Sequence, residues 1–324
     1  MIKYTNIIKR KKFLNQLAKN NKITYYGRSE EDIIQDLIKE GHKEKLDYLD
    51  EQFKFSSTNL TLCELEEAWP ENIDSPEKLL SYLVKNRNVN PNNIDTEWQP
   101  PLKQTLQLCA IKHEGSAVYL KFVEEKLTVR KSGYSSSVSS YAQFTSVVLI
   151  FGEVPLIQMR CPFKDIKKYI EFTMDFIGYK KICKYFTVPK LTRDNAVKMC
   201  ELLSAGVSSR HISLPTNVGS VQFNGKKGID LSNDGTFDKI TNAIKGLGLP
   251  TDHTMEEKCI FVYTDPKTSI ELETIFEVNF QKGYFKFTKE VPETIVDHVL
   301  DILILVDMED RKKVDQEAAI NTEE

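Results

Sequence analysis

The sequence has no apolar run long enough to cross a bilayer. The most apolar stretch, VLDILILV from Val299 to Val306, is eight residues and is interrupted by Asp301, against about 20 for a spanning helix. No membrane partner is expected. The amino terminus, MIKYTNIIKRKKFLNQL, has no continuous apolar stretch followed by small residues, so no secretory signal is expected either. Closely spaced cysteines are also missing. The six, at positions 63, 109, 161, 183, 200 and 259, each stand alone, which excludes the usual zinc-ligand spacing. Apolar neighbours such as LQLCAI and KCIFVY predict buried, reduced thiols in a cytoplasmic chain. Arginine is scarce, with 8 against 36 lysines. With frequent Ile and Asn, that ratio reads as the codon bias of an AT-rich genome. Gly 14 and Pro 12 exclude a collagen-like chain.

Cofactor motifs are absent too. NGKKG (Asn224–Gly228) lacks the spacing of a phosphate loop and the Ser or Thr that follows its Lys. GLGLP (Gly246–Pro250) follows a helical segment, where a dinucleotide site must follow a strand. No nucleophile elbow, His-Glu-x-x-His or calcium loop occurs. No metal and no cofactor are expected. Ser75-Pro76-Glu77-Lys78 matches an acyl-enzyme serine by letters alone, and a helix N-cap explains every residue of it.

What is present is a 324-residue chain with 40% hydrophobic and 28% charged residues, enough for one large domain or two ordinary ones. The net charge is only −3, yet the charge lies in blocks. Residues 1–28 carry +8, 29–97 carry −10, 98–250 carry +9 and 251–324 carry −10. Such asymmetry bears on partners rather than on fold.

The first hundred residues predict helices: Ile7–Leu17, a helix capped by Ser29 and ended by Gly41, Lys43–Phe53, one opened by a Thr61/Glu64 capping box and running to Trp69, and one opened by Ser75-Pro76. The Asn- and Pro-rich stretch Asn86–Pro101 suggests a linker. Beyond it, β-branched segments at about 105–115, 116–131, 145–153 and 155–162 predict antiparallel strands, with a mobile Ser-rich loop at Ser132–Phe144. A helix is expected over Phe163–Ile177, another after Thr192, and a hairpin around Val218–Phe223 with the NGKKG turn. A short helix at Thr236–Leu247, three strands between Cys259 and Lys289 and a last helix from Pro292 complete the pattern.

The predicted class is α+β: a mostly helical N-terminal domain (1–97, with a basic arm at 1–28), then an α+β domain (98–308). Within the latter, antiparallel meanders, each packed by a helix, divide into 98–190 and 191–308, and residues 309–324 form a charged, disordered tail.

Three readings of function arise. The first is a non-enzymatic nucleic-acid-binding protein, DNA-directed through the backbone, accessory to a DNA-processing or defence assembly. Its contacts would be Arg160, Lys164, Lys167, Lys168, Lys180, Lys181 and Lys184, helped by Lys9, Arg10, Lys11 and Lys12, with Tyr179 and Tyr185 stacking on bases. Lysine suits phosphates better than base edges. The second is a scaffold whose acidic and basic blocks pair with a protein partner or a second copy. The third is a metal-dependent nuclease, in which Glu114 and Glu124 hold a divalent ion and Lys126 orients water.

Overall fold

A computed structural model describes residues 4–181, 183–214, 216–226, 229–251 and 253–321. The chain is α+β, with antiparallel strands and separate helices. It divides into two compact units, one continuous (59–188) and one split (1–58 with 189–324). The expected boundary near residue 97 therefore falls inside the continuous unit.

The split unit begins with four short helices, α1 (Thr5–Ile8), α2 (Lys11–Asn20), α3 (Glu30–Lys39) and α4 (Lys43–Glu51). Their apolar positions meet inside: Ile7, Leu14, Leu17, Ile33, Leu37, Leu46 and Leu49 are all buried. The Ser29 hydroxyl accepts from the Asp32 amide and caps α3, as its sequence predicts. Asp50 on α4 takes the amides of Asn6 and Ile7 at 3.0 and 2.9 Å, satisfying free donors at the start of α1.

The continuous unit contains β1 (Asn59–Leu65), α5 (Pro76–Asn86), β2 (Gln107–Glu114), β3 (Ala117–Ser132), β4 (Ser135–Ile150), β5 (Leu156–Arg160), α6 (Ile166–Ile177) and β6 (Tyr185–Val188). Its sheet runs β2-β3-β4-β5-β1-β6, antiparallel throughout. The segment expected as a helix from Thr61 is thus mostly strand β1. It hydrogen-bonds to β5 on one side and β6 on the other, and six of its seven residues are buried. Pairing on both sides outweighs a local capping signature. Helix α6 lies over one face of the sheet, where Val118, Leu120, Phe122, Val147, Leu149, Ile157 and Met159 form the core with Ile166, Ile170 and Met174.

The Ser-rich stretch is not a loop. β3 and β4 pair residue for residue from Ala117↔Ile150 to Ser132↔Ser135, turning at Gly133-Tyr134, where Gly133 takes φ 59°. The pairing of β2 with β3 ends at Val123, and that of β5 with β4 ends at Ser146. The Lys103 carbonyl still accepts from the Glu125 amide at 2.6 Å. From Lys126↔Tyr141 outward, seven pairs form a two-stranded ribbon to which no other strand among the described residues pairs. At about 3.4 Å per residue it reaches roughly 20 Å.

The chain then returns to the split unit with α7 (Arg193–Leu202), β7 (Gly206–Ser213), β8 (Ser220–Asn224), α8 (Gly235–Gly246), β9 (Thr254–Thr264), β10 (Glu271–Asn279), β11 (Tyr284–Phe287) and α9 (Glu293–Asn321). Its sheet order is β11-β10-β9-β7-β8. The hairpin expected around Val218–Phe223 forms with the preceding strand β7, not across NGKKG. Lys227 and Gly228 of that turn lie outside the described residues. α9 covers β9, with His298 against Tyr263 and Phe261. It continues through the expected tail to Asn321, joined to α7 by Asn195–Asp310 and Lys198–Glu309 contacts.

Candidate nucleic-acid interface

Helix α6 is amphipathic. Ile166, Tyr169, Ile170, Thr173, Met174 and Ile177 face the sheet, so the intervening Lys167 and Lys168 face solvent, and Lys164, on the 3-10 turn Phe163–Asp165 just before the helix, is exposed as well. Phe172 and Phe176 meet Phe122 edge-on at 5.2 and 5.4 Å and hold the helix in register. Its C-terminus is fixed by Gly178, in the left-handed region at φ 98°, and by Arg87, which donates to the Phe176 carbonyl at 2.7 Å and to that of Asp175. Lys180, Lys181 and Lys184 follow, all exposed. These three complement the negative end of the helix dipole, whereas the three at the start oppose it.

Two of these lysines approach carboxylates at long range: Lys167 to Glu171 at 3.9 Å and Lys184 to Glu66 at 3.8 Å. Lys164, Lys180 and Lys181 make no ion pair among the described residues.

Lys168 belongs to a tighter cluster at the base of the ribbon. Glu124 on β3 is buried opposite Gln143 on β4. Its carboxylate accepts from Tyr169 Oη at 2.6 Å and from Lys168 Nζ at 2.8 and 3.0 Å, and it pairs with Lys126 Nζ at 3.0 Å. Gln143 donates to Tyr169 Oη at 3.1 Å. Burial pushes the Glu124 carboxyl up, but the bonds from Lys168, Tyr169 and Lys126 together outweigh it and hold the group below its ordinary value. Burial, then the adjacent carboxylate, pushes the Tyr169 phenol well up. One carboxylate thus holds two ammonium groups, and the excess positive charge sits on side chains that are 35% and 48% exposed.

The nuclease arrangement is not assembled. Glu114 lies at the β2–β3 turn, next to the Ala117 end of β3, where it pairs with Lys112 at 2.6 Å. Glu124 stands seven residues further along β3, about 23 Å away at strand spacing. The two carboxylates cannot share an ion, and Lys126 serves Glu124 alone. Among the described residues no group of three His, Cys, Asp or Glu side chains is placed to hold a metal.

Other expected contacts are also placed elsewhere. Arg160 is buried on the sheet face opposite α6, bonded to Gln158 Oε1 at 2.8 and 3.2 Å and set 5.7 Å over the Tyr119 ring. Tyr179 lies edge-on to Trp69, with its hydroxyl buried. Tyr185 is half-buried against the core. Neither ring is presented for stacking. In the N-terminal run, Arg10 bonds Asn6 O and Ser56 Oγ, pairs with Glu290 and covers Phe53, and Lys11 pairs with Glu30 at 2.8 Å. Only Lys9 and Lys12 of that run are left exposed and without an ion pair among the described residues. All four belong to the split unit, not to the unit that carries α6.

Sequence reasoning missed the ribbon, because its second strand is a run of serines. Residues 126–152 contain Lys126, Arg130 and Lys131 and no acid. That charge pattern is the signal that could have found it.

The chain matches no protein-family model and no curated protein.

Proposed function

We propose that the chain is a non-enzymatic, cytoplasmic nucleic-acid-binding protein that grips the phosphate backbone through its continuous unit. The observation that carries the reading is the row of exposed lysines along α6 and its exit: Lys164, Lys167 and Lys168, then Lys180, Lys181 and Lys184. They are joined by the excess ammonium charge at Glu124. The two groups sit towards opposite ends of a 12-residue helix, which is about 18 Å long, a span that reaches several phosphates. Arg160, Tyr179 and Tyr185 leave the proposed contact set because they face inward. The scaffold reading has less charge to draw on, since Arg10, Lys11 and Arg28 already meet Glu290, Glu30 and Asp36 within the chain.

Fluorescence anisotropy with labelled duplex and single-stranded DNA and RNA, at two salt concentrations, tests the proposal. A Lys164/Lys167/Lys180/Lys181→Glu variant spares Lys168 and so keeps the Glu124 cluster intact. The expected result is binding that weakens with salt, with the log–log slope reduced in the variant by roughly 0.7–0.9 for each phosphate it no longer neutralises. Absence of binding at low salt, or a variant that binds like the wild type, would refute it.

A further inference from the structure

The β3–β4 ribbon has two unlike faces. Leu127, Val129 and Val138 lie on one, with Val129 directly opposite Val138 and Lys131 further out on the same face. Val129 and Val138 form a cross-strand β-branched pair that contributes about 0.2–1 kcal/mol to the ribbon. On the other lie Lys126 opposite Tyr141 and Thr128 opposite Ser139, with Ser137 beyond. This polar face continues that of Glu124 and Gln143, on which α6 sits, so the ribbon's hydroxyls and Lys126 adjoin Lys168.

We propose that the ribbon enters the major groove of B-form duplex DNA, polar face toward the base edges, while the α6 lysines hold the neighbouring phosphates. This deepens the nucleic-acid reading above and rests on it. Three observations carry it. From Lys126 to Tyr141 the ribbon bears three positive charges and no negative one, which suits a polyanion and disfavours pairing with the ribbon of a second copy. A two-stranded ribbon fits a major groove about 12 Å wide, but not a minor groove of about 6 Å. Ser and Thr hydroxyls can donate to or accept from any base edge, so recognition is permissive in sequence. A-form RNA has a major groove too narrow and deep for side chains to read, so duplex RNA is the poorer ligand.

The test is a shortened-arm variant in which residues 127–140 are replaced by Asn-Gly, a two-residue hairpin turn joining Lys126 to Tyr141. The segment removed lies outside the hydrophobic core, and native folding is checked by the unfolding midpoint. The full chain should bind duplex DNA more tightly than duplex RNA, and a major-groove dye should displace it while a minor-groove ligand does not. The shortened variant should lose roughly tenfold or more in duplex DNA affinity and about 2 units of salt slope, since two cations go with it. It should also lose the preference for DNA over RNA. Equal affinity in the two proteins overturns the proposal, as does equal binding of duplex RNA. If the shortened variant binds DNA normally while the four-lysine variant does not, the ribbon proposal fails and the backbone reading stands. If the full chain binds no nucleic acid, both fail. A shift from dimer to monomer on shortening, with DNA binding unchanged, overturns the proposal in favour of a second copy as the ribbon's partner.

Discussion

Replacing Glu124 probes the cluster on which the proposed interface is built. Its side chain is 3% exposed and accepts from Tyr169, Lys168 and Lys126. In Glu124→Leu, Tyr169 Oη loses its charged acceptor and keeps Gln143 and Thr145 as partners, and two ammonium groups face an apolar side chain. Losing a buried hydrogen bond to a charged acceptor costs about 1.5–3 kcal/mol. The two lysines add less, about 0.5 kcal/mol each, because both can turn to water. A loss of about 2.5–4 kcal/mol is expected for Glu124→Leu. For Glu124→Gln, which keeps an acceptor for Tyr169 and removes only the charge, the expected loss is about 1–2 kcal/mol. Urea unfolding followed by tryptophan fluorescence is the assay. Both tryptophans, Trp69 and Trp98, lie in the continuous unit, so the signal reports that unit alone. The pH dependence gives a second check. Folding holds the Glu124 carboxyl below its ordinary 4.5, so its contribution is complete above that value and disappears as pH falls through the folded one. The gap between wild type and Glu124→Gln should be constant from neutral pH down to about 5 and shrink below about 4.5. A Gln or Leu variant as stable as the wild type at neutral pH would refute the assigned role of Glu124, as would a gap that widens in acid.

Burial pushes the Cys63, Cys109 and Cys161 thiols up to about 12, and all six cysteines are buried. A thiol-disulfide reagent at pH 8 should therefore label essentially none of the six in the native protein and all six in denaturant; rapid labelling of any one in the native protein would contradict the burial. Gly178→Ala should destabilise the continuous unit by about 2–3 kcal/mol in the same fluorescence assay. The residue sits at φ 98°, and a Cβ there would lie 2.5 Å from Tyr82 Oη. A loss under about 0.5 kcal/mol would mean that Tyr82 moves aside freely.

Local chemistry alone determined much of the helical framework. Ser29, Ser75 and Thr192 cap α3, α5 and α7 through side-chain acceptors, and the apolar spacing of α6 was sufficient to place Lys167 and Lys168 on its outer face. These signals act over one helical turn, so a single segment contains them. The blocks of charge were likewise legible by counting. Tertiary structure decided the rest. Thr61 to Leu65 carries the letters of a helix start, yet strands on both sides supply its hydrogen bonds. The serines of β4 have little strand preference of their own; the register with β3 extends them into a ribbon. Strand register also sends Arg160 to the face away from α6, because successive side chains on a strand alternate. The same alternation puts Glu124 and Lys126 on the α6 face, where Lys168 and Tyr169 meet them across 44 and 45 residues of chain. Composition and spacing named the charged residues, but which of them share a surface depended on pairings between segments far apart in the chain.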